Sequence, residues 1–477
     1  MLLMADRLDQ VTSFLRRPDV NLCFQIHPNQ LTIPTFNPPA EWNYWWQWSG
    51  EPMNASFTSN VLWSQSKWQL LWFYYVRDST PDWIREHPDE DTFKLIPIQL
   101  RKLIDEARTL QLSRAVDTFG RQSTRRKFTG MSPKKAHEVE RMTQYVSNVL
   151  AEDSPESRPQ HAADIGAGQA YLSRSLRDEL GLHVLALDFS QVQSHGAARR
   201  EQASKSSDNE TQAGSLDYEM IAVDSNSLIS ATEHWIQRRV HGCCLNPCPT
   251  PILWVALHAC GSLTLDILRA FILRRRQNDQ DVCWRPSAAV IVGCCYNMVR
   301  SEDRVLTRDD IVLSPNHLQL AAQTPDQWGT SPLKFDETVL AIRKIVWRAL
   351  LEGIMARSEV TQTDPAAKLE IRRLGRLNND AYTDRDQFIR RAQTRMGVDL
   401  SSQCSLSERD ENLERRLEVF HVLRCILGPV AETFILLDRE RWLNEQLEGT
   451  NTNVQLVNLF DQNSGSARNV AIVAMTS

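Results

Sequence analysis

The stretch that decides the fold is His161-Ala162-Ala163-Asp164-Ile165-Gly166-Ala167-Gly168-Gln169-Ala170-Tyr171-Leu172. A short apolar run ends in an acidic residue and two glycines, and a helical pattern follows. This order is typical of a buried parallel strand that leads into a helix in a nucleotide-binding βαβ unit. Gly166 and Gly168 have no Cβ, so the backbone can turn tightly there and come close to a ligand. Asp164 would lie at the carboxyl end of the strand and could fix a polar group of that ligand.

A second apolar run, residues 182–189, ends at Asp188. This carboxylate follows the glycines by about 20 residues, which is where a βαβ unit places the acid that binds ribose hydroxyls. The glycine turn has no third glycine, and it lacks the Gly-Lys-Ser/Thr ending of a phosphate-binding loop. The sequence therefore favours a nucleoside ligand over a dinucleotide.

Further strands are predicted at residues 218–224, 251–260 and 288–294, each with polar residues at or just after its end. Ligands of open α/β sheets bind outside the carboxyl ends of the strands. We therefore expect one rim to carry the following polar side chains: Asp164, Asp188, Asp224, His258, Cys260, Cys294, Cys295 and Tyr296. Two more strands, residues 454–460 and 469–474, predict a closing antiparallel hairpin.

The size and composition of the chain set limits on its class. With 477 residues, 42% of them apolar and 24% charged, the chain is ordinary for a globular protein of one large domain or two to three domains. The formal net charge of −5 gives no overall attraction to nucleic acids or acidic membranes. Any contact with a nucleic acid must therefore use a local basic patch.

The ten cysteines are too few for a disulfide framework in a chain of this length. The first residues show no signal-peptide pattern, and no window resembles a membrane span. We therefore expect a cytoplasmic or nuclear protein with reduced thiols and no membrane partner.

The same patterns predict how the chain is divided. Residues 1–130 form a tryptophan-rich helical N-terminal region, whose indoles are expected to pack in a core. Residues 131–297 form a core with the first five strands, and residues 298–412 form a helical insertion on the substrate side. Residues 413–477 complete the core with helices at 413–427 and 429–446 and the closing hairpin. Residues 199–216 lack large apolar side chains and are predicted to be a disordered surface insertion.

Several segments together resemble the methyltransferase-like protein 25 family, a branch of the class I S-adenosylmethionine-dependent methyltransferases. The matching segments are Met131-Ser-Pro-Lys-Lys-Ala-His-Glu-Val139, Asp164-Ile-Gly-Ala-Gly168, Leu257-His-Ala-Cys-Gly261, Val292-Gly-Cys-Cys-Tyr296, Leu436-Leu-Asp-Arg439, Phe460-Asp461 and Arg468-Asn469. The resemblance covers roughly residues 61–477. The family usually has Lys-Gly where Gln169-Ala170 stand here. A related tRNA ribose methyltransferase family has a similar His-x-Cys-Gly and Cys-Cys pair, which slightly favours RNA over protein as the methyl acceptor.

The resemblance implies an α/β fold, a seven-stranded Rossmann-like methyltransferase sheet, with S-adenosyl-L-methionine as the cofactor. The residue pattern itself favours a site with no metal. The resemblance implies that Asp164, Gly166 and Gly168 surround the methionine end of the donor. Asp188 would accept the ribose hydroxyls and Asp224 would lie by the adenine. The catalytic residues would be His258 and Cys260. The residues on the substrate side would be Cys294, Cys295 and Tyr296.

Other readings of these residues remain open. His258, Cys260, Cys294 and Cys295 could together bind zinc, although strand-end cysteines are more often small buried residues. Cys243, Cys244 and Cys248, with His241, have a spacing more typical of a variable loop than of a zinc site. A nucleophilic cysteine would need an activating partner that the pattern does not identify.

Two other functions compete with the enzyme assignment. A non-catalytic methyltransferase-like scaffold would bind a partner through its helical regions, and an NAD-dependent enzyme would bind nicotinamide. The intact Asp-x-Gly-x-Gly turn disfavours the scaffold, and the closing hairpin disfavours the dehydrogenase.

Overall fold

The computed structural model describes residues 2–53, 62–118, 130–152, 157–190, 214–240, 249–277, 282–357, 373–398 and 410–476. The cysteine-containing segment 241–248 and most of the predicted insertion at 199–216 lie outside these residues. The last residues of that insertion, Ser215 and Leu216, instead begin a strand, where Leu216 packs against the core.

One seven-stranded sheet organises the fold, as predicted. Its strands are β1 (His161–Ile165), β2 (His183–Asp188), β3 (Ser215–Met220), β4 (Thr250–Cys260), β5 (Trp284–Cys294), β6 (Thr452–Asn458) and β7 (Val470–Thr476). They lie in the order β3-β2-β1-β4-β5-β7-β6. The first five are parallel, and β7 is antiparallel to both of its neighbours. The predicted α/β methyltransferase sheet with its closing hairpin is confirmed.

Helices connect and flank these strands. They are α1 (Leu2–Arg16), α2 (Pro18–Gln25), α3 (Asn43–Gly50), α4 (Lys67–Tyr75), α5 (Glu90–Phe93), α6 (Ile98–Leu110), α7 (Pro133–Glu152), α8 (Tyr171–Leu180), α9 (Ser225–Arg239), α10 (Leu263–Arg275), α11 (Pro315–Leu320), α12 (Pro332–Arg357), α13 (Arg385–Met396) and α14 (Glu411–Gln446). The described residues of the N-terminal region and of segment 298–412 are both rich in helices.

The chain divides into two compact units. The first consists of residues 1–8, 112–313 and 434–477 and contains the sheet. Because successive side chains of a strand point to opposite faces, neighbours such as Trp254 and Val255 enter different cores. One core contains Trp254, Trp284 and Phe271, and the other contains Val255 and Phe460. Both faces of the central strands are therefore buried, which leaves the strand ends as the polar part of the sheet.

The second unit consists of residues 9–111 and 314–433 and is helical in its described part. Trp42, Trp45 and Trp72 are buried in it, as predicted for core residues. The rings of Trp42 and Trp45 lie 5.2 Å apart, and Phe420 packs against both. Aromatic packing therefore accounts for these tryptophans.

The prediction of two separate helices, at 413–427 and 429–446, is wrong, because α14 runs without a break through Gly428 and Pro429. A proline inside a helix removes one backbone hydrogen bond and usually interrupts the helix. Here the flanking residues are deeply buried, so packing outweighs that local cost. α14 is also long and apolar enough to cross a membrane, but 94% of its most apolar 18-residue window is buried inside the protein. That burial is typical of a core helix.

Candidate functional site at the carboxyl edge of the sheet

The turn between β1 and α8 has a backbone that requires glycine. Gly166 has φ +74° and Gly168 has φ +55°, a region that residues with a Cβ rarely occupy. The amides of Gly166 and Ala167 donate to the carbonyl of Leu187, at 2.9 and 3.0 Å, which ties the turn to the end of β2. A Cβ built on Gly168 would meet no atom within 4 Å. The turn thus presents bare backbone to open space.

Ala170 occupies the position where the resembled family usually has glycine, and its φ of +54° is left-handed. Left-handed backbone costs a residue with a Cβ about 1–2 kcal/mol. The side chain is buried beside Ala186, so part of that cost is offset by packing. We expect Ala170→Gly to raise the free energy of unfolding by about 1 kcal/mol, measured by urea denaturation. A decrease would mean that packing of the methyl group outweighs the backbone strain.

Asp164 lies beneath this turn. It is 2% exposed, and its carboxylate accepts a hydrogen bond from the Ser173 hydroxyl at 2.5 Å. Burial raises the pKa of Asp164 to about 6, although the Ser173 hydrogen bond acts in the opposite direction. Asp164 therefore joins β1 to the first turns of α8 and supports the glycine turn from inside the protein.

Asp188 ends β2 and contacts the same turn from the other side. Its carboxylate accepts hydrogen bonds from the amides of Gly168 and Ser190, both at 2.8 Å. Phe189, the next residue, is 77% exposed, which is unusual for a large aromatic side chain. Phe189 was not among the predicted site residues, although an aromatic residue directly after a strand-end acid could have indicated it. Together these residues form an acidic and aromatic edge beside the open turn.

Asp224 has a different local role. β3 ends at Met220, not at Asp224 as predicted, and Asp224 is the N-cap of α9. Its side chain accepts hydrogen bonds from the amides of Asn226 and Ser227, at 2.8 and 3.0 Å. The capping pattern Asp-x-x-Ser starts the helix here and draws the backbone out of the strand.

His258 occupies an irregularity in β4. The pairing of β4 with β5 shifts register between Leu257 and Ala259, and His258 has φ +75°. Side chains of a strand normally point to alternate faces of the sheet, and a bulge of this kind turns one of them in a different direction. The imidazole Nε2 lies 2.9 Å from a carboxylate oxygen of Glu138 in α7. His258 thus faces α7 at the edge of the sheet and is partly exposed.

Glu138 is the partner that the sequence analysis missed, although it lies in the quoted segment 131–139. Glu138 is buried, and burial by itself raises its pKa. The hydrogen bond with His258 and the charge of Lys135 lower it by more, so the pKa of Glu138 lies below its usual value. Lys135 Nζ is 3.7 Å from the same carboxylate oxygen. An ionised Glu138 assigns the proton to Nε2 of His258, which leaves Nδ1 as the basic nitrogen of the ring.

Three thiols meet where β4 and β5 end. Cys260 Sγ lies 3.3 Å from Cys294 Sγ, and Cys294 Sγ lies 3.7 Å from Cys295 Sγ. The interaction with Cys294 lowers the pKa of Cys260 to about 6, and the same interaction together with burial raises the pKa of Cys294. Burial raises the pKa of Cys295. Only Cys260 among the three is exposed.

Tyr296, the residue that follows Cys295, is buried. The guanidinium carbons of Arg439 and Arg468 lie 5.7 and 5.9 Å from the centre of its ring. The preceding residue of α14, Asp438, accepts hydrogen bonds from the amides of Leu306 and Thr307. Arg439 and Arg468 therefore pack against Tyr296, and Tyr296 itself is covered.

The predicted rim residues fall into two groups at the carboxyl edge. Asp164, Gly166, Gly168 and Asp188 surround the glycine turn, and the second group contains His258, Cys260, Cys294, Cys295 and Tyr296. β1 and β4 are neighbours in the sheet, and the charge of Lys135 acts on both Asp164 and Glu138. A side-chain atom of Leu263, which follows β4, lies 3.4 Å from the Cβ built on Gly166. The two groups are therefore adjacent, and Asp224 caps α9.

Comparison with known proteins agrees with this architecture. Residues 134–302 match a family model described as a methyltransferase domain. The chain is 25% identical to probable methyltransferase-like protein 25 of Homo sapiens over 240 residues, which cover 47% of the chain and 36% of that protein. It is 26% identical to the Mus musculus protein of the same name over 240 residues, or 47% and 37% of the two chains. No solved structure matches significantly.

These matches confirm the predicted resemblance over about half of the chain, a shorter part than residues 61–477. The chain matches only about a third of the length of these curated relatives.

Proposed function

We propose that this chain, which has a methyltransferase domain in residues 134–302, transfers a methyl group from S-adenosylmethionine to RNA. The observation that carries the proposal is the glycine turn. Its left-handed backbone faces open space at Gly168, and the Asp188 carboxylate lies against the same residue. A small ligand with a ribose can use both features at once.

The residues around the turn fit the parts of this donor. Bare backbone at Gly166 and Gly168 would allow the methionine end to approach closely. Asp188 uses one acceptor position on each oxygen for backbone amides, so lone pairs remain for the two ribose hydroxyls. The exposed ring of Phe189 offers an apolar face to the adenine. Asp164 would act indirectly, because its carboxylate is already bonded to Ser173.

The second group of residues would handle the acceptor. When bound, S-adenosylmethionine supplies an electrophilic methyl group, so the protein mainly positions the acceptor and excludes water. Nδ1 of His258 would take the proton from an attacking hydroxyl, and ionised Glu138 would stabilise the imidazolium that forms. Cys260, which is exposed, would contact the acceptor. Cys294, Cys295 and Tyr296 would position that contact from behind.

RNA as the acceptor is supported by local charge. Lys134 and Lys135 lie in the first turn of α7, where the helix dipole also favours anions. Lys135 is connected through Glu138 to His258, so positive charge lies beside the proposed base. The acidic overall chain gives no other general attraction to phosphate. The similarity of the His-x-Cys-Gly and Cys-Cys segments to a tRNA ribose methyltransferase family points the same way.

The decisive test is donor binding by the full chain, measured by isothermal titration with S-adenosylmethionine, S-adenosylhomocysteine and NAD. We expect micromolar dissociation constants for the first two compounds and no heat with NAD. An absence of binding to all three would favour the non-catalytic scaffold, and binding of NAD alone would favour a dehydrogenase.

The acceptor class is tested with radiolabelled S-adenosylmethionine and fractions from cells that lack this chain. We expect label in the RNA fraction that ribonuclease releases. Label confined to the protein fraction would contradict the choice of RNA while leaving the methyltransferase proposal intact.

A further inference from the structure

The three thiols at the ends of β4 and β5 are spaced like the ligands of one metal ion. The sulfur atoms of Cys260, Cys294 and Cys295 all lie within 4.8 Å of one another. The two closest pairs are 3.3 and 3.7 Å apart. In a tetrahedral zinc centre with Zn–S bonds of about 2.3 Å, neighbouring sulfur atoms are about 3.8 Å apart. Small side-chain rotations would therefore bring these thiols to ligand positions.

The backbone already holds the three residues in this arrangement. Cys260 and Cys294 are register partners on adjacent parallel strands, so their side chains leave the sheet side by side. Cys295 has φ +49°, which turns the chain back toward the first two thiols. The amide of Gly261 donates to the carbonyl of Cys294 at 2.9 Å and locks the two strand ends together. Gly261 must be glycine, because a Cβ there would lie 2.6 Å from the carbonyl oxygen of Met298.

Nearby cations suit the charge of such a site. One Zn²⁺ with three thiolates has a net charge of −1. Arg439 and Arg468 both lie over Tyr296, the residue that follows Cys295, and both are buried. Nη1 of Arg439 has no hydrogen-bond partner among the described residues, and it lies 3.2 Å from the Cβ built on Gly293, beside Cys294. This guanidinium would gain from negative charge on the sulfur atoms.

We propose that Cys260, Cys294 and Cys295 bind one Zn²⁺ ion and leave its fourth position open to a ligand from outside the chain. Thiolates are ligands that zinc prefers, and exposed Cys260 provides the route of entry. Nε2 of His258 is engaged by Glu138, so this nitrogen does not supply the fourth ligand. An open position on zinc is typical of sites that act on a substrate or water. Binding exchanges the thiol protons for the metal, with no oxidation or reduction.

The test uses the reduced, metal-free full chain, titrated with Co²⁺ and then Zn²⁺ in the absence of any methyl donor. We expect one Co²⁺ per chain with sulfur-to-metal charge-transfer absorption, displaced by one Zn²⁺. Because removal of groups that only support a ligand costs about 10–100-fold in affinity, loss of a ligand should cost at least about 100-fold. Cys260→Ser, at an exposed position, should show this loss with an unchanged melting temperature without metal.

The matched control replaces Cys243, Cys244 and Cys248 together by serine, which leaves the proposed ligands intact. This variant should keep the full affinity. Unchanged Zn²⁺ affinity in both Cys260→Ser and Cys295→Ser would overturn the proposal, and so would loss of binding in the triple variant. A failure to bind S-adenosylmethionine would not bear on it, since the metal titration contains no donor.

Discussion

Replacing Asp188 by alanine is expected to weaken the binding of S-adenosylmethionine by at least about 100-fold. Hydrogen bonds to a charged group contribute about 1.5–3 kcal/mol each, and the proposed site offers Asp188 to two ribose hydroxyls. Their combined loss of at least about 3 kcal/mol corresponds to that factor. The substitution also frees the amides of Gly168 and Ser190, which Asp188 now binds. Isothermal titration measures the change directly.

Two further variants separate these contributions. Asp188→Asn keeps a carbonyl oxygen for the Gly168 amide but removes the charge, so we expect a smaller loss of about 10-fold. Asp224→Ser removes the carboxylate predicted to lie by the adenine while it preserves the helix cap, since serine caps helices well. We expect this variant to bind the donor within about threefold of the parent chain. A larger loss in Asp224→Ser than in Asp188→Ala would show that the donor lies elsewhere on the rim.

The sheet and its polar edge could be predicted from the sequence because both depend on local patterns. Short apolar runs that end in polar residues indicate parallel strands buried on both faces. The glycine turn, Asp188 and the cysteine-rich ends of β4 and β5 were all identified in this way. The closing hairpin was equally visible, and with it the seven-stranded arrangement.

The geometry within that edge depends on contacts between distant segments, which local patterns do not contain. His258 was identified, but its bulge and its bond to Glu138, 120 residues away, follow from strand register and from the packing of α7. The burial of Asp164 similarly depends on Ser173 in α8. α14 shows the reverse case, since a local proline signal was outweighed by burial. Residues 9–111 and 314–433 are likewise far apart in the sequence but form one compact unit.

The His258–Glu138 pair leads to the second large effect. Replacing His258 by asparagine is expected to lower the rate of methyl transfer by at least about 100-fold, because general base catalysis contributes about 10²–10⁴-fold. Asparagine suits this position because it tolerates the left-handed backbone at φ +75° better than most residues. The variant should therefore fold and bind S-adenosylmethionine with unchanged affinity. Transfer of radiolabelled methyl groups to the RNA fraction measures the rate.

Glu138→Gln tests whether the partner works through the histidine. Glutamine keeps an acceptor for Nε2 but removes the negative charge that would stabilise the imidazolium, so we expect a decrease of about 10-fold in kcat with the donor affinity retained. If Glu138 acts only through His258, adding Glu138→Gln to His258→Asn should cause little further loss. Additive losses in the double variant would mean that Glu138 contributes separately from the ring. Full activity of His258→Asn would contradict the assignment of His258 as the base. The acceptor would then have to lose its proton without the His258–Glu138 pair.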